Sequence, residues 1–367
     1  MYMRKQRLER RLIEIREMLL RQHIGGVVLQ HQKNVSWFIG GRSHVNTASE
    51  PACCVLIITP ADCVLISNNI ESERLIEEEM GLGNHRNLFT TEVWPWNEPH
   101  IKNSLIAKYT EQLDHYKVDG ELEAELLQLR TRVDEADEPE LMLLGRLAAD
   151  AMEQTATLIR RGLSEFQIAA ELAKQCLERE LEPIVNLIAV DERIFTRRHP
   201  QPTTMLLDRY AMLVVCGRRN GLIASATRLV HFGPIPADIL HRHEAATVID
   251  TKLIHATKPG VSLEHMYSTI PNLYKEAGYP DEYKLHHQGG LTGYSTRERL
   301  AVEGERIVVA EGQVYAWNPS IAGAKSEDTI YVKNNSATVI TSSNNFPEIE
   351  VSVEGKVWKR PAILQRA

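Results

Sequence analysis

Leu8, Leu12, Ile15 and Leu19 recur three or four residues apart, with Arg and Glu filling most positions between them. This spacing predicts an amphipathic first helix, stopped by Gly25 and Gly26. The pattern then shifts to short apolar runs, VVLQ (27–30), SWFIGG (36–41), CCVLIIT (53–59) and CVLISN (63–68), parted by Gly, Pro, Asn and Asp. Runs of this length between breakers predict strands. An acidic helical run follows from Ile70 to Met80, and strand–helix alternation continues to about Val118. Residues 1–132 therefore read as a small α/β domain.

The charged, apolar-poor segment TRVDEADEPE (131–140) marks the boundary, with Pro139 suited to the first turn of a helix. Residues 133–367 form the second domain. Two helices are expected over Leu141–Arg161 and Ser164–Leu181, separated by Gly162. In YAMLVVCGRRNGLIASATRLV the pair Asn220-Gly221 sits between two apolar runs, a strong hairpin signal. Helices are expected again over Pro236–Lys258 and Ser262–Ala277, with the last strands in 306–358.

Composition narrows the function classes. Hydrophobic content of 43% and charged content of 25% are ordinary for a soluble globular chain, and 367 residues suffice for a large core. A net charge of -7, without long basic runs, argues against nucleic acid. No apolar stretch is long enough for a membrane span, and the basic N-terminus lacks the apolar core of a signal peptide. Five Cys, with no C-x-x-C spacing, predict a reducing, cytoplasmic setting rather than disulfides or a zinc site.

Two stretches carry the chemistry: 285-LHHQGGLTGY-294 and 314-VYAWNPSIAGAKSEDTIYV-332. They resemble signature motifs of the pita-bread hydrolases, the group that holds creatinase, prolidase, aminopeptidase P and methionine aminopeptidase. The element order resembles creatinase and prolidase over essentially the whole chain. The resemblance implies an α/β (α+β) fold, with a lid-like N-terminal domain followed by a curved antiparallel sheet flanked by helices. Metal-dependent members bind their ions through two Asp on the hairpin, a His closing H-G-x-G-H, a Glu in T-x-E-P-G and a Glu in an E-D pair. Here 221-GLIASATR-228 matches the hairpin frame, so the five positions become Val214, Ser225, Gly290, Asn318 and Glu327. Val and Gly offer no donor, Ser and Asn only weak neutral ones, and one carboxylate cannot offset the desolvation of two divalent ions. The expectation is a member of the group with no metal and no cofactor.

Creatinase is the metal-independent precedent. Its catalytic His lies in H-N-P-V-T-T; the text here is 199-HPQPTT-204, so the resemblance gives His199 the acid/base role. Glu327 is expected to act with it, and to need a cationic or donor partner such as a substrate N–H or the charged His199. Arg297 resembles the creatinase Arg that holds a substrate carboxylate, with Arg299 close enough to take its place. Asn318 and the adjacent His286 and His287 are further substrate contacts, the two histidines pointing apart if the segment is extended. Creatinase's lid supplies a second Arg where this chain has Glu50. The reversed charge argues against creatine and suggests a partly cationic ligand, or Arg42 as replacement.

Two other features read as bland. His241 and His243 do not share a helix face and are expected at the surface or as caps. Trp37, Trp94, Trp96 and Trp317 are core candidates, with an apolar cleft as the alternative. The functional expectation is a metal-independent hydrolase or cyclase acting on a C–N or ester bond of a small amino-acid-like molecule or short peptide, in a homodimer. The alternatives are a silent pita-bread module that binds a peptide or small molecule, and a divergent Xaa-Pro peptidase.

Overall fold

A computed structural model describes residues 2–82, 88–343 and 345–367. The chain divides into two compact units, Met1–Arg130 and Thr131–Ala367. Both mix helices and strands, and no helix among the described residues is long and apolar enough to cross a membrane.

The N-terminal unit opens with helix α1 (Tyr2–Gln22), which buries Leu8, Ile15 and Leu19; Leu12 is only half-buried, while the aliphatic stem of Arg11 is taken inside. Strands β1 (Gly26–His31), β2 (Pro51–Ile58), β3 (Cys63–Asn68), β4 (Thr90–Trp94) and β5 (Tyr116–Val118) form one sheet in the order β4-β3-β2-β1-β5. The run SWFIGG is not a strand. It belongs to helix α2 (Gln32–Ile39), whose side chains from Asn34 to Ile39 are all buried and whose end is the left-handed Gly40. A short apolar run buried on every side looks alike in either state, so periodicity does not separate them. Helices α3 (Ser72–Arg74, continued by a π turn to Glu79), α4 (His100–Thr110) and α5 (Glu123–Arg130) complete the unit.

In the C-terminal unit, helices α6 (Glu138–Leu158) and α7 (Glu165–Leu177) come first. Ser164 caps α7, its hydroxyl accepting from the Gln167 N–H while Gln167 returns a bond to the Ser164 backbone. Strands β6 (Glu182–Val190), β7 (Tyr210–Arg219) and β8 (Leu222–Phe232) follow, with the short helix α8 (Glu192–Thr196) between the first two. Asn220 and Gly221 both take positive φ (50° and 88°), the geometry of a tight primed turn, and β7 pairs with β8 from Arg219↔Leu222 to Tyr210↔His231. Next come helices α9 (Ala237–Ala256) and α10 (Leu263–Glu276). His243, expected at the surface, is buried in α9, and burial pushes its pKa down to about 4. His241 is exposed.

A second sheet has the order β10-β9-β11-β14-β15, from β9 (Gly289–Thr292), β10 (Arg299–Leu300), β11 (Val314–Trp317), β14 (Asp328–Lys333) and β15 (Ser336–Val339). Between its strands lie β12 (Ser320–Ile321) and β13 (Ala324–Lys325), a tiny hairpin turned at Gly323. The chain ends with the β16–β17 hairpin (Glu348–Val353, Lys356–Pro361) and β18 (Leu364–Arg366), which adds in parallel to β8. The two sheets meet where β8 faces the start of β14. The Thr227 N–H donates to the Glu327 carbonyl (3.0 Å), and the Ser225 N–H donates to Thr329 Oγ1 (2.7 Å). That seam places the SED triplet against the middle of the β7–β8 hairpin.

Candidate active site

Beside this seam lies a cavity of about 310 Å³ within the C-terminal unit. Val185 and Leu187 of β6 and Val214 and Cys216 of β7 form its apolar wall. The period of two along β7 turns both Val214 and Cys216 to the same face. Asn318, Lys325 and Glu327 reach it from the segment between β11 and β14, Thr296 and Arg297 from the segment between β9 and β10, and His199, Gln201 and His287 complete it. Five residues singled out from the sequence, His199, His287, Arg297, Asn318 and Glu327, thus border one cavity.

Glu327 is buried and doubly paired. Lys325 Nζ lies 2.7 Å from its Oε2, Arg297 Nη2 lies 3.2 Å from its Oε1, and Thr227 Oγ1 donates to Oε2 (2.7 Å). Burial alone would raise the carboxyl pKa, but the two cations outweigh it and hold it down to about 2. The partner anticipated for Glu327 was a substrate N–H or His199. The protein supplies its own cations instead. Lys325 is only 5% exposed, so its ammonium is effectively fixed by that pair. Sequence reasoning passed over Lys325, which ends β13 two residues before Glu327.

The next residue, Asp328, has a structural task. It meets the buried guanidinium groups of Arg228 (3.1 Å) and Arg360 (2.9 Å), and Arg360 also bonds Asp250. Ser326 Oγ donates to Asp250 Oδ2 (2.6 Å), so every member of the Lys325–Asp328 strap is anchored.

The three histidines cluster. His286 Nε2 and His199 Nε2 are 2.9 Å apart, so one proton bridges two like nitrogens. The His286 and His287 rings stack with centroids 4.4 Å apart rather than pointing apart. Strand alternation does not govern them, because they sit between a 3-10 turn ending at Leu285 and the start of β9. Burial first, then nearby positive charge, pushes His286 down to about 2 and His287 to about 4. His199, more open to solvent, is lowered in the same direction, by partial burial and by Lys325 and Arg297, with Glu327 opposing. All three are neutral bases at pH 7. Their ring nitrogens lie within 4.8 Å of one another, a spacing open to a single metal ion, but the field of Lys325 and Arg297 that repels protons also opposes a dication.

The five positions equated with the family's metal ligands have other surroundings. Val214 contributes an isopropyl group to the wall. Ser225 Oγ, fully buried, donates to Cys216 Sγ (3.2 Å). Gly290 sits at φ 152°, and a Cβ added there would stand 2.2 Å from the Arg299 carbonyl oxygen, so only glycine is accommodated. Asn318 is buried; its N–H donates to the Gln288 carbonyl (3.0 Å), while its Oδ1 has no partner among the described residues.

Other candidates fall elsewhere. Arg299 lies on β10, its Nη1 donating to the Glu298 carbonyl (2.7 Å), and it is Arg297 that borders the cavity. Arg42 and Glu50 belong to the N-terminal unit, where Arg42 pairs with Glu79 (3.0 Å) and Glu50 is exposed. Trp37, Trp94 and Trp317 are buried, Trp317 donating to Thr257 Oγ1 (2.9 Å), and Trp96 is exposed.

Comparison with known proteins agrees with this architecture. The chain is 23% identical over 253 residues to the putative dipeptidase YkvY of Bacillus subtilis, covering 65% of this chain and 69% of that protein. The prolidase of Pyrococcus horikoshii OT3 superposes with a TM-score of 0.74 at 17% identity, over 91% of this chain and 98% of that one. An Xaa-Pro dipeptidase from Bacillus anthracis gives 0.73 at 15% identity, over 98% and 99%. Residues 141–334, more than half of the chain and the stretch that builds this cavity, match metallopeptidase family M24, and the protein belongs to that family.

Proposed function

We propose that this protein is a hydrolase of a C–N bond in a small, carboxylate-bearing molecule, and that it works without the dinuclear metal centre of its family. The observation that carries the reading is the Lys325 ammonium 2.7 Å from Glu327 Oε2, beside histidines held as free bases. The donor set does not fit two metal ions. Of the five positions only Glu327 is anionic, and its oxygens are taken by Lys325, Arg297 and Thr227. Two dications would have to displace those cations and gain one carboxylate in return.

In this reading His199 accepts a proton from water as its oxygen attacks the electrophilic carbon, and returns it to the nitrogen as the C–N bond breaks. A base lowered from the ordinary imidazole value is already unprotonated at neutral pH. His286 holds its ring through the shared proton. Asn318 Oδ1 accepts a substrate N–H, and Arg297 offers its guanidinium to the substrate carboxylate.

The test is turnover of a panel of N-acyl amino acids, guanidino acids and Xaa-Pro dipeptides by protein dialysed against EDTA, followed by mass spectrometry. Release of amine from a carboxylate-bearing member, undiminished by EDTA, is the expected result. Turnover that EDTA abolishes and Mn²⁺ or Co²⁺ restores would establish a metal-dependent peptidase instead. Saturable binding without turnover would make the protein a binding module and end the catalytic reading.

A further inference from the structure

A second cavity, of about 530 Å³, lies in the C-terminal unit between α9, α10 and the β16–β17 hairpin, and shares no lining residue with the first. Its size and apolar lining are those of a small-molecule site. Leu253, Val261, Met266, Leu273 and Val353 supply the apolar surface.

The polar edge is unbalanced. Lys252 is matched by Glu276 (2.8 Å), and His255 Nε2 lies 3.0 Å from Glu354 Oε2. Lys258 Nζ meets no carboxylate among the described residues; its contact is the same His255 Nε2, at 3.2 Å. Meanwhile His255 Nδ1 is buried without a hydrogen-bond partner among the described residues. Neither neutral tautomer of His255 satisfies this arrangement. If Nε2 carries the proton it suits Glu354, but it faces the Lys258 ammonium and leaves Nδ1 an unmatched acceptor. If Nδ1 carries it, Nε2 suits Lys258 but faces the carboxylate, and Nδ1 is an unmatched donor. The Lys258 ammonium, whose contact is a ring nitrogen already facing Glu354, is the member of the set that lacks a counter-charge among the described residues. An external anion on Lys258 would draw the ammonium off the ring and leave His255 to Glu354.

We infer that this cavity is a second ligand site, taking a small amphipathic carboxylate with its aliphatic or aryl body against Leu253, Met266 and Leu273 and its carboxylate on Lys258. The inference does not rest on the proposed hydrolase activity.

Isothermal titration of the full chain with octanoate and with 1-octanol tests it. Octanoate should bind saturably, one per chain, at least tenfold tighter than the alcohol. Lys258→Met should remove that preference, and Leu273→Trp, which fills the cavity, should weaken both probes at least tenfold. Arg297→Met, in the other cavity, should leave octanoate binding unchanged. Absent or non-saturable octanoate binding, equal affinity for the alcohol, or binding lost with Arg297→Met but kept in Lys258→Met would overturn the inference. Should Leu273→Trp fail to fold, the Lys258→Met and Arg297→Met pair decides alone.

Discussion

Glu327 and Lys325 are each expensive to bury alone and tolerable together. Removing one partner of such a pair leaves an uncompensated charge, at about 3–5 kcal/mol. Glu327→Gln should therefore lower stability to urea by about that much, Lys325→Met by less because Arg297 remains on Glu327, and the double variant by clearly less than their sum. Simple additivity would contradict a coupled pair. His199→Ala should leave the fold intact, because the ring sits at the cavity edge, and should cost ~10²–10⁴ in turnover of any substrate found. Unchanged kcat would remove His199 from the chemistry.

Acid should also destabilise the protein from an unusually high pH. His243, His286 and His287 have folded pKa values near 4, 2 and 4, below the ordinary 6.5. Between those values and 6.5 the unfolded chain binds protons that the folded one refuses. Their stabilising contribution is thus complete above pH 6.5 and drains away below it. Glu327 acts in the same direction lower down, between 4.5 and about 2. Asp250, pushed up to about 6 by burial, and Glu153, raised by burial too, oppose them, but two acids do not outweigh three imidazoles. The urea midpoint should fall from pH 7 to pH 5; a rise would contradict these assignments. Part of the cavity lining was legible from motif frames: His199, Arg297, Asn318 and Glu327 all border it. Lys325 was not, because a lysine two residues from a glutamate is an ordinary surface pattern until burial makes the pair unavoidable.

At the scale of elements, the hairpin and its helices were readable because local chemistry and packing agree. Asn220-Gly221 takes the positive φ values its turn needs, and Ser164 caps α7 through a reciprocal pair. Ser164→Ala should cost about 1 kcal/mol in chemical denaturation. A null effect would mean that packing alone fixes the start of α7. The SWFIGG run was misread because burial on all sides erases periodicity, and β18 because three residues carry no pattern. Strand β9 holds the sharper test. Gly290 has no room for a Cβ, so Gly290→Ala should destabilise the protein, and Gly290→His should not recreate a ligand without moving the β10 backbone. A stable Gly290→His variant that gains metal affinity would show that the strand can still adopt the family's arrangement.

At the scale of the molecule, the resemblance to creatinase and prolidase leads us to propose a homodimer. Sedimentation at micromolar concentration should then give twice 41.6 kDa, and a monomer mass would exclude any shared site. The central claim is narrower: a member of a metallopeptidase family whose buried ammonium stands against the one retained ligand. Elemental analysis of protein purified without chelators, equilibrated with Mn²⁺, Co²⁺ or Zn²⁺ and dialysed, tests it most directly. The account predicts no stoichiometric metal, and no difference between wild type and Glu327→Gln. About two ions per chain, lost on Glu327→Gln, would contradict it.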